Sequence, residues 1–203
     1  MSTHPLYTIG HSNHTIERFV ELLHEHGIEV IADVRSIPVS GRHPQYNREA
    51  LKSALAERGI KYLFLGKELG ARRAEDEAYD GNRATYEQIS RLPAFREGLE
   101  RVKKGVANHR IALMCAEKDP LDCHRTLLVC RNLRDGIAGG IYHILADGLL
   151  ESHAQAERRL IAHLGMNPDQ AEMFAGETEP PLERAYRKRG LAIAYQEKVA
   201  GGD

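Results

Sequence analysis

Residues 110–125 read RIALMCAEKDPLDCHR. Ile111 to Cys115 are apolar without alternation, the pattern of a strand covered on both faces, and such strands belong to parallel sheets sandwiched between helices. The run gives way to a polar loop containing a proline. Asp122 then stands where a helix from Cys123 to about Asp135 would take its N-cap. Strand, loop and helix in this order predict one βαβ unit.

The same alternation extends in both directions. Leu6–Gly10 predicts a first strand ending at a glycine, and Thr15 caps a helix with Ile16, Phe19, Val20 and Leu23 on one face, stopped by Gly27. Glu29–Val34 is a β-branched second strand. A polar turn follows, and Asn47 caps a helix that turns Leu51, Ala54 and Leu55 inward and closes at Gly59. Ile60–Leu65 is a third strand. The charged, glycine-bearing stretch from Gly66 to Asn82 predicts a mobile loop, and the helix from Thr85 to Lys104 is expected to break at Pro93. Ile141–Leu145 is a fifth strand and Glu151–Leu164 a final helix. These elements predict an α/β fold: a Rossmann-like or flavodoxin-like three-layer sandwich around a mostly parallel five-stranded sheet. That domain spans residues 1–165. Residues 166–203 read as a polar C-terminal extension, partly helical or mobile, with GETEPPLER (Gly176–Arg184) as a hinge or linker.

Composition narrows the function. The formal charge of -1 over 203 residues argues against a basic coat that holds duplex DNA by counterion release, although a local basic groove is compatible with it. No apolar run approaches the length of a membrane span, and the first residues lack the charged-then-apolar pattern of a signal peptide. Three cysteines, Cys115, Cys123 and Cys130, predict reduced thiols in a cytoplasmic protein.

Parallel sheets bind ligands beyond the carboxyl ends of their strands, and the unusual residues fall there. His11, Ser12, Asn13 and His14 follow the first strand, Asp33 and Arg35 the second, Gly66, Lys67 and Glu68 the third, Cys115 and Glu117 the fourth, and Asp147 the fifth. Some have plain structural roles open to them. Asp33 and Arg35 can form an internal ion pair, His143 a hydrogen-bonded core histidine, and Cys130 a small core hydrophobe.

Placed in a first helical turn, Cys123, His124 and Arg125 would present free N–H groups and the positive end of the helix dipole to an anion, with Arg125 as a forked donor. The same place favours the Cys123 thiolate. Cys115 or Cys123 is then a candidate nucleophile, Glu117, His124 or Asp33 an acid–base, and His11 an orienting or proton-shuttling group. Arg35, Arg125, Ser12 and Asn13 would bind substrate. Cys-x7-Cys-His lacks the paired spacing of structural zinc motifs, and neighbouring ligands are expected to diverge at a helix start, so no metal is predicted and the cofactor is left open. The expected function is a hydrolase or transferase acting on an anionic small molecule or nucleic-acid component: a nucleotide, nucleoside or modified base. The alternatives are a non-catalytic ligand-binding or protein-interaction module and a thiol redox sensor.

TIGHSNHTIERFVELL, ADVRSIPVSGRHPQYN, GIKYLFLGKELG, IALMCAEKDPLDCHR and IYHILADG, in that order and spacing, resemble the motifs of domain-of-unknown-function family 488 from about Leu6 to Leu164. The chain departs from the pattern at Ala71, where a second glycine is common, and at Tyr46, where phenylalanine is common. The resemblance implies an α/β fold in a cytoplasmic prokaryotic protein. It marks His11, Ser12, Asn13, Asp33, Arg35, Cys115, Glu117, Cys123, His124 and Arg125 as motif positions, and it implies no particular reaction.

Overall fold

The computed structural model describes residues 4–166 and 179–197. The sheet contains β1 (Leu6–Gly10), β2 (Val30–Asp33), β3 (Lys61–Phe64), β6 (Ile111–Cys115), β7 (Ile141–Ile144) and β8 (Leu150–Ser152), in the order β3-β2-β6-β1-β7-β8. All neighbours are parallel except β8, which pairs antiparallel with β7 at one edge. The α/β sandwich is as expected, with two refinements. The sheet gains a sixth, short strand where the final helix was expected to begin. Its order also matches neither doubly wound pattern, because β6 inserts between β1 and β2.

That insertion sets the position of the site. The central strands β1, β2 and β6 are buried along their whole length because each is covered on both faces. Tyr7, Ile9, Ile31, Ala112 and Met114 pack on one face against α1 (Ile16–Glu25) and α2 (Arg48–Ala56). Leu6, Val30, Ala32, Ile111 and Leu113 pack on the other, against α5 (Pro93–Val106), α6 (His153–His163) and the helical stretch after Cys123. Pro93 occupies the first turn of α5 and separates it from the one-turn α4 (Tyr86–Ile89), as its missing N–H dictates. Thr15 caps α1 through its side chain. Asn47 does not cap α2; its Oδ1 accepts from the Ser40 N–H at 2.7 Å and pins the preceding turn.

The segment after β3 is structured. It holds α3 (Gly66–Leu69) and a two-strand hairpin, β4 (Tyr79–Asp80) with β5 (Arg83–Ala84). Its anchor is Arg73, buried and donating to the carbonyls of Lys67 and Glu68 while paired with Glu75. The sequence pattern had shown only charge there. In the second described stretch, α7 (Pro181–Ile193) buries Ala185 and Tyr186 against the core, and Arg131 and Arg134 pair with Glu183. Of the expected hinge at 176–184, residues 176–178 lie outside the described residues, while Pro181–Arg184 form the first turn of this helix. Among the described residues no helix is long and apolar enough to cross a membrane.

His143 is a core histidine, as expected, and it heads a chain of defined tautomers. Tyr186 donates to Glu157 at 2.8 Å, so it accepts from His153 Nε2 at 2.9 Å. His153 Nδ1 then accepts from His143 Nε2 at 3.1 Å, and His143 Nδ1 from the Thr8 hydroxyl at 2.8 Å. Both rings are neutral in this arrangement, and burial lowers both of them below the usual histidine range. The unfolded chain therefore takes up protons before the folded one does as pH falls. Stability is expected to drop below about pH 6.5, by about 1.4 kcal/mol per pH unit for each histidine that stays neutral. Urea unfolding at pH 7.5 and 5.5 measures this, and a flat profile would exclude the neutral chain.

Candidate functional site

Three adjacent strands, β2, β6 and β1, end side by side and deliver the site. Beyond β1 the chain continues the ladder: His11 N–H donates to the Cys115 carbonyl and Ser12 N–H to that of Ala116, each at 2.9 Å. Ser12 then turns with φ 48°, the only non-glycine residue at positive φ among those described, a strained conformation of the kind that clusters at functional sites. Its hydroxyl donates to Asn13 Oδ1 at 3.3 Å.

At the end of β2, Asp33 is fully buried and grips Arg35 with both oxygens, accepting from Nε at 2.9 Å and Nη2 at 2.6 Å. The Tyr62 hydroxyl donates to the same carboxylate at 2.7 Å. His11 stacks on Tyr46 at 4.1 Å, and its Nδ1 donates to the Ser12 carbonyl at 3.0 Å. Its Nε2 is therefore free to accept from Arg35 Nη1 at 3.4 Å. Burial and the Arg35 charge lower His11 to about 4. The ring in this arrangement is neutral and helps to fix the Arg35 guanidinium. Asp33 is likewise a positioning residue and lies behind the cavity wall.

The sulfur cluster lies past β6. His124 Nε2 donates to the Val34 carbonyl at 3.0 Å, which turns Nδ1 toward the two sulfurs, 3.7 Å from Cys115 Sγ and 4.0 Å from Cys123 Sγ. Cys123 is extended (φ −137°, ψ 139°) and immediately precedes the helical run. Its sulfur accepts from the Arg125 backbone N–H at 3.4 Å, the bond an N-cap side chain makes. Cys123 thus occupies the place expected of Asp122, which ends a 3-10 turn capped by Asp119 and pairs instead with Arg189. The helix that follows is wound as a π-helix from Arg125 to Cys130, a rare form frequent at functional sites.

Electrostatics separate the two thiols. The hydrogen bond to Cys123, with burial, raises Cys115 well above the usual thiol range. At Cys123 burial is outweighed by the hydrogen bond from Cys115 and by the Arg125 charge, and the thiol is held well below that range. Glu117, exposed at the mouth, turns its carboxyl end to Cys123 at 2.9 Å; desolvation there and the neighbouring sulfur raise it.

Arg125 requires a correction. It is fully buried, does not line the cavity, and donates to the carbonyls of Glu117 at 2.7 Å and Lys118 at 3.3 Å. No carboxylate is within ion-pair distance of it among the described residues, so its counter-charge is the sulfur cluster. It fixes the 115–118 loop and holds no ligand directly. Cys123, also nearly without exposure, does not line the cavity either. The neighbours Cys123 and His124 do not diverge: with Cys115 they place three ligand atoms within 4.8 Å of one another. Lys67 and Asp147 are not among the cavity residues, and Glu68 pairs with Arg101.

What remains surrounds a cavity of about 890 Å³, within the range of small-molecule sites. From the expected set it is lined by His11, Ser12, Asn13, Arg35, Cys115, Glu117 and His124. The sequence reading missed Ser36, Arg42 and His43 from the turn after β2, Arg72 from the segment after β3, and Tyr86 and Tyr195. Arg42 and Arg72 are exposed, and Arg72 lies over the Tyr195 ring at 4.8 Å, joining two chain segments across the rim. Two arginines within proline- and glycine-punctuated turns were the available signal.

A family model described as Domain of unknown function DUF488 matches residues 15–131, more than half of the chain. No curated protein and no solved structure matches it.

Proposed function

The chain belongs to the DUF488 family, and we propose that it is an enzyme, a hydrolase or transferase, acting on an anionic small molecule of the nucleotide class. The observation that carries this reading is one cavity lined both by Cys115, Glu117 and His124 and by Arg35, Arg42 and Arg72. Cationic side chains beside reactive ones hold an anion where chemistry is available to it, which is how binding becomes positioning. Arg35 is the rigid donor, because Asp33 and His11 fix its fork. Arg42 and Arg72 are the adaptable ones, and Tyr86 and Tyr195 supply ring faces. Glu117 is the acid–base, exposed to ligand, with its carboxyl raised by desolvation and by the neighbouring Cys123 sulfur.

A thermal-shift panel of nucleosides, nucleotides, sugar phosphates and short oligonucleotides tests this, with Arg42→Ala/Arg72→Ala beside the native chain. A ligand at about 100 times its Kd stabilises by about 2.7 kcal/mol, a rise of about 5–11 °C for a chain of this size. The double variant is expected to lose the rise, while its own stability falls by no more than about 1 kcal/mol. A rise that survives in the variant, or none with any anion, would defeat the reading.

A further inference from the structure

We propose that Cys115 Sγ, Cys123 Sγ and His124 Nδ1 form a Zn2+ site with three protein ligands and a fourth position open to the cavity. Zinc takes sulfur at about 2.3 Å and imidazole nitrogen at about 2.0–2.1 Å in a tetrahedron, so a sulfur and a nitrogen on one ion lie about 3.6 Å apart. The two sulfur–nitrogen distances are 3.7 and 4.0 Å, and all three atoms fall within 4.8 Å. The three ligand atoms are already grouped, and the two sulfur–nitrogen distances lie within a few tenths of an ångström of coordination geometry.

The surroundings are those of a metal site. A ligating histidine donates its other N–H to a fixed acceptor, and His124 Nε2 does so to the Val34 carbonyl at 3.0 Å. The Arg125 backbone N–H already supports Cys123 Sγ. Charge also balances. Two thiolates and the Glu117 carboxylate are neutralised by a divalent cation together with Arg125, which otherwise lies buried without a carboxylate partner. Two thiolates and an imidazole select a borderline-soft ion over Mg2+ or Ca2+.

Three ligands and an open position distinguish a catalytic zinc from a structural one. Here the cavity supplies the opening, through Cys115 and His124, and Glu117 stands beside it. A zinc-bound water would give one proton to Glu117 and its oxygen to the electrophilic centre of the ligand, and the departing group would leave with the Glu117 proton. This catalytic part rests on the reading of the cavity as a reaction site. The binding of the metal does not.

The test uses untagged full-length protein from zinc-supplemented cells. Elemental analysis is expected to find about one Zn2+ per chain. After chelation, Co2+ is expected to give a sulfur-to-cobalt charge-transfer band and the visible bands of a tetrahedral ion. Cys115→Ser, Cys123→Ser and His124→Gln should each lose both signals with circular dichroism unchanged, and Cys130→Ala should keep them. Native protein that holds no zinc and gives no cobalt spectrum would overturn the proposal without any variant. So would metal retained in the Cys115→Ser/Cys123→Ser chain, or a Cys115–Cys123 disulfide in freshly purified protein. Stoichiometric zinc without an anion-dependent thermal shift upholds the metal site and defeats the enzyme reading; the shift without zinc defeats the metal site alone.

Discussion

Asp33→Ala is expected to cost about 3–5 kcal/mol of stability and to abolish ligand binding, because it leaves the Arg35 guanidinium buried and unpaired. Asp33 is fully enclosed and accepts four hydrogen bonds: the Arg35 backbone N–H at 3.1 Å, Arg35 Nε and Nη2, and the Tyr62 hydroxyl. No water can replace the carboxylate at that depth without a cavity opening for it. Removing both charges is a different perturbation. Asp33→Ala/Arg35→Met discards the desolvation cost together with the pair, and buried ion pairs exchanged for apolar side chains are often neutral in stability. The double variant is therefore expected to recover most of the lost stability and none of the ligand-induced thermal shift. Urea unfolding measures the first and the ligand panel the second. A single variant within about 1 kcal/mol of the native chain would mean the pair contributes little. A double variant that still responds to the anion would remove Arg35 from the site.

The contrast between Asp33 and Arg125 shows what a sequence of this kind discloses. Strands are legible because a doubly covered strand must be apolar throughout, and Ile111–Cys115 is. Ligand-facing positions are legible because a parallel sheet exposes the residues just past its strand ends. Hence His11, Ser12, Asn13, Arg35, Cys115 and Glu117 all line one cavity. The direction of a side chain at a helix start is not legible. Arg125 turns inward, where its guanidinium bridges the Glu117 and Lys118 carbonyls in the space beside Gly10 at which β1 approaches the 115–118 loop. That approach depends on β6 lying beside β1, a matter of strand order that hydrophobic period does not encode. The ligand spacing of zinc motifs fails for the same reason. Short paired spacings describe ligands held by one local turn, whereas Cys115 and His124 come from a strand end and a helix start that the fold brings together. The buried Arg73 and the wall supplied by Tyr195 are likewise products of tertiary contact between polar-looking segments.

Gly10 is where that close approach becomes testable. A Cβ at this position would lie 1.9 Å from the Glu117 carbonyl oxygen, 2.9 Å from its carbon and 3.2 Å from Arg125 Nη1. The first two contacts are to backbone, so no flexible side-chain end can yield; either β1 or the 115–118 loop must move by about an ångström or more. The same oxygen accepts the 2.7 Å bond from Arg125, and the same loop carries Cys115 and the Glu117 carboxyl facing Cys123. Gly10→Ala is thus expected to lower stability by about 3 kcal/mol, a fall of about 6–12 °C in Tm, and to disperse the sulfur cluster with it. The cobalt charge-transfer band should weaken out of proportion to the loss of helix signal, since the displaced atoms belong to the site. Gly41→Ala is the matching control: it also borders the cavity, meets nothing within 4 Å and does not need a positive φ. That substitution should change stability by no more than about 0.5 kcal/mol. If Gly10→Ala melted with the control and kept its metal spectrum, the loop would be free to retreat, and Arg125 could not be what fixes it.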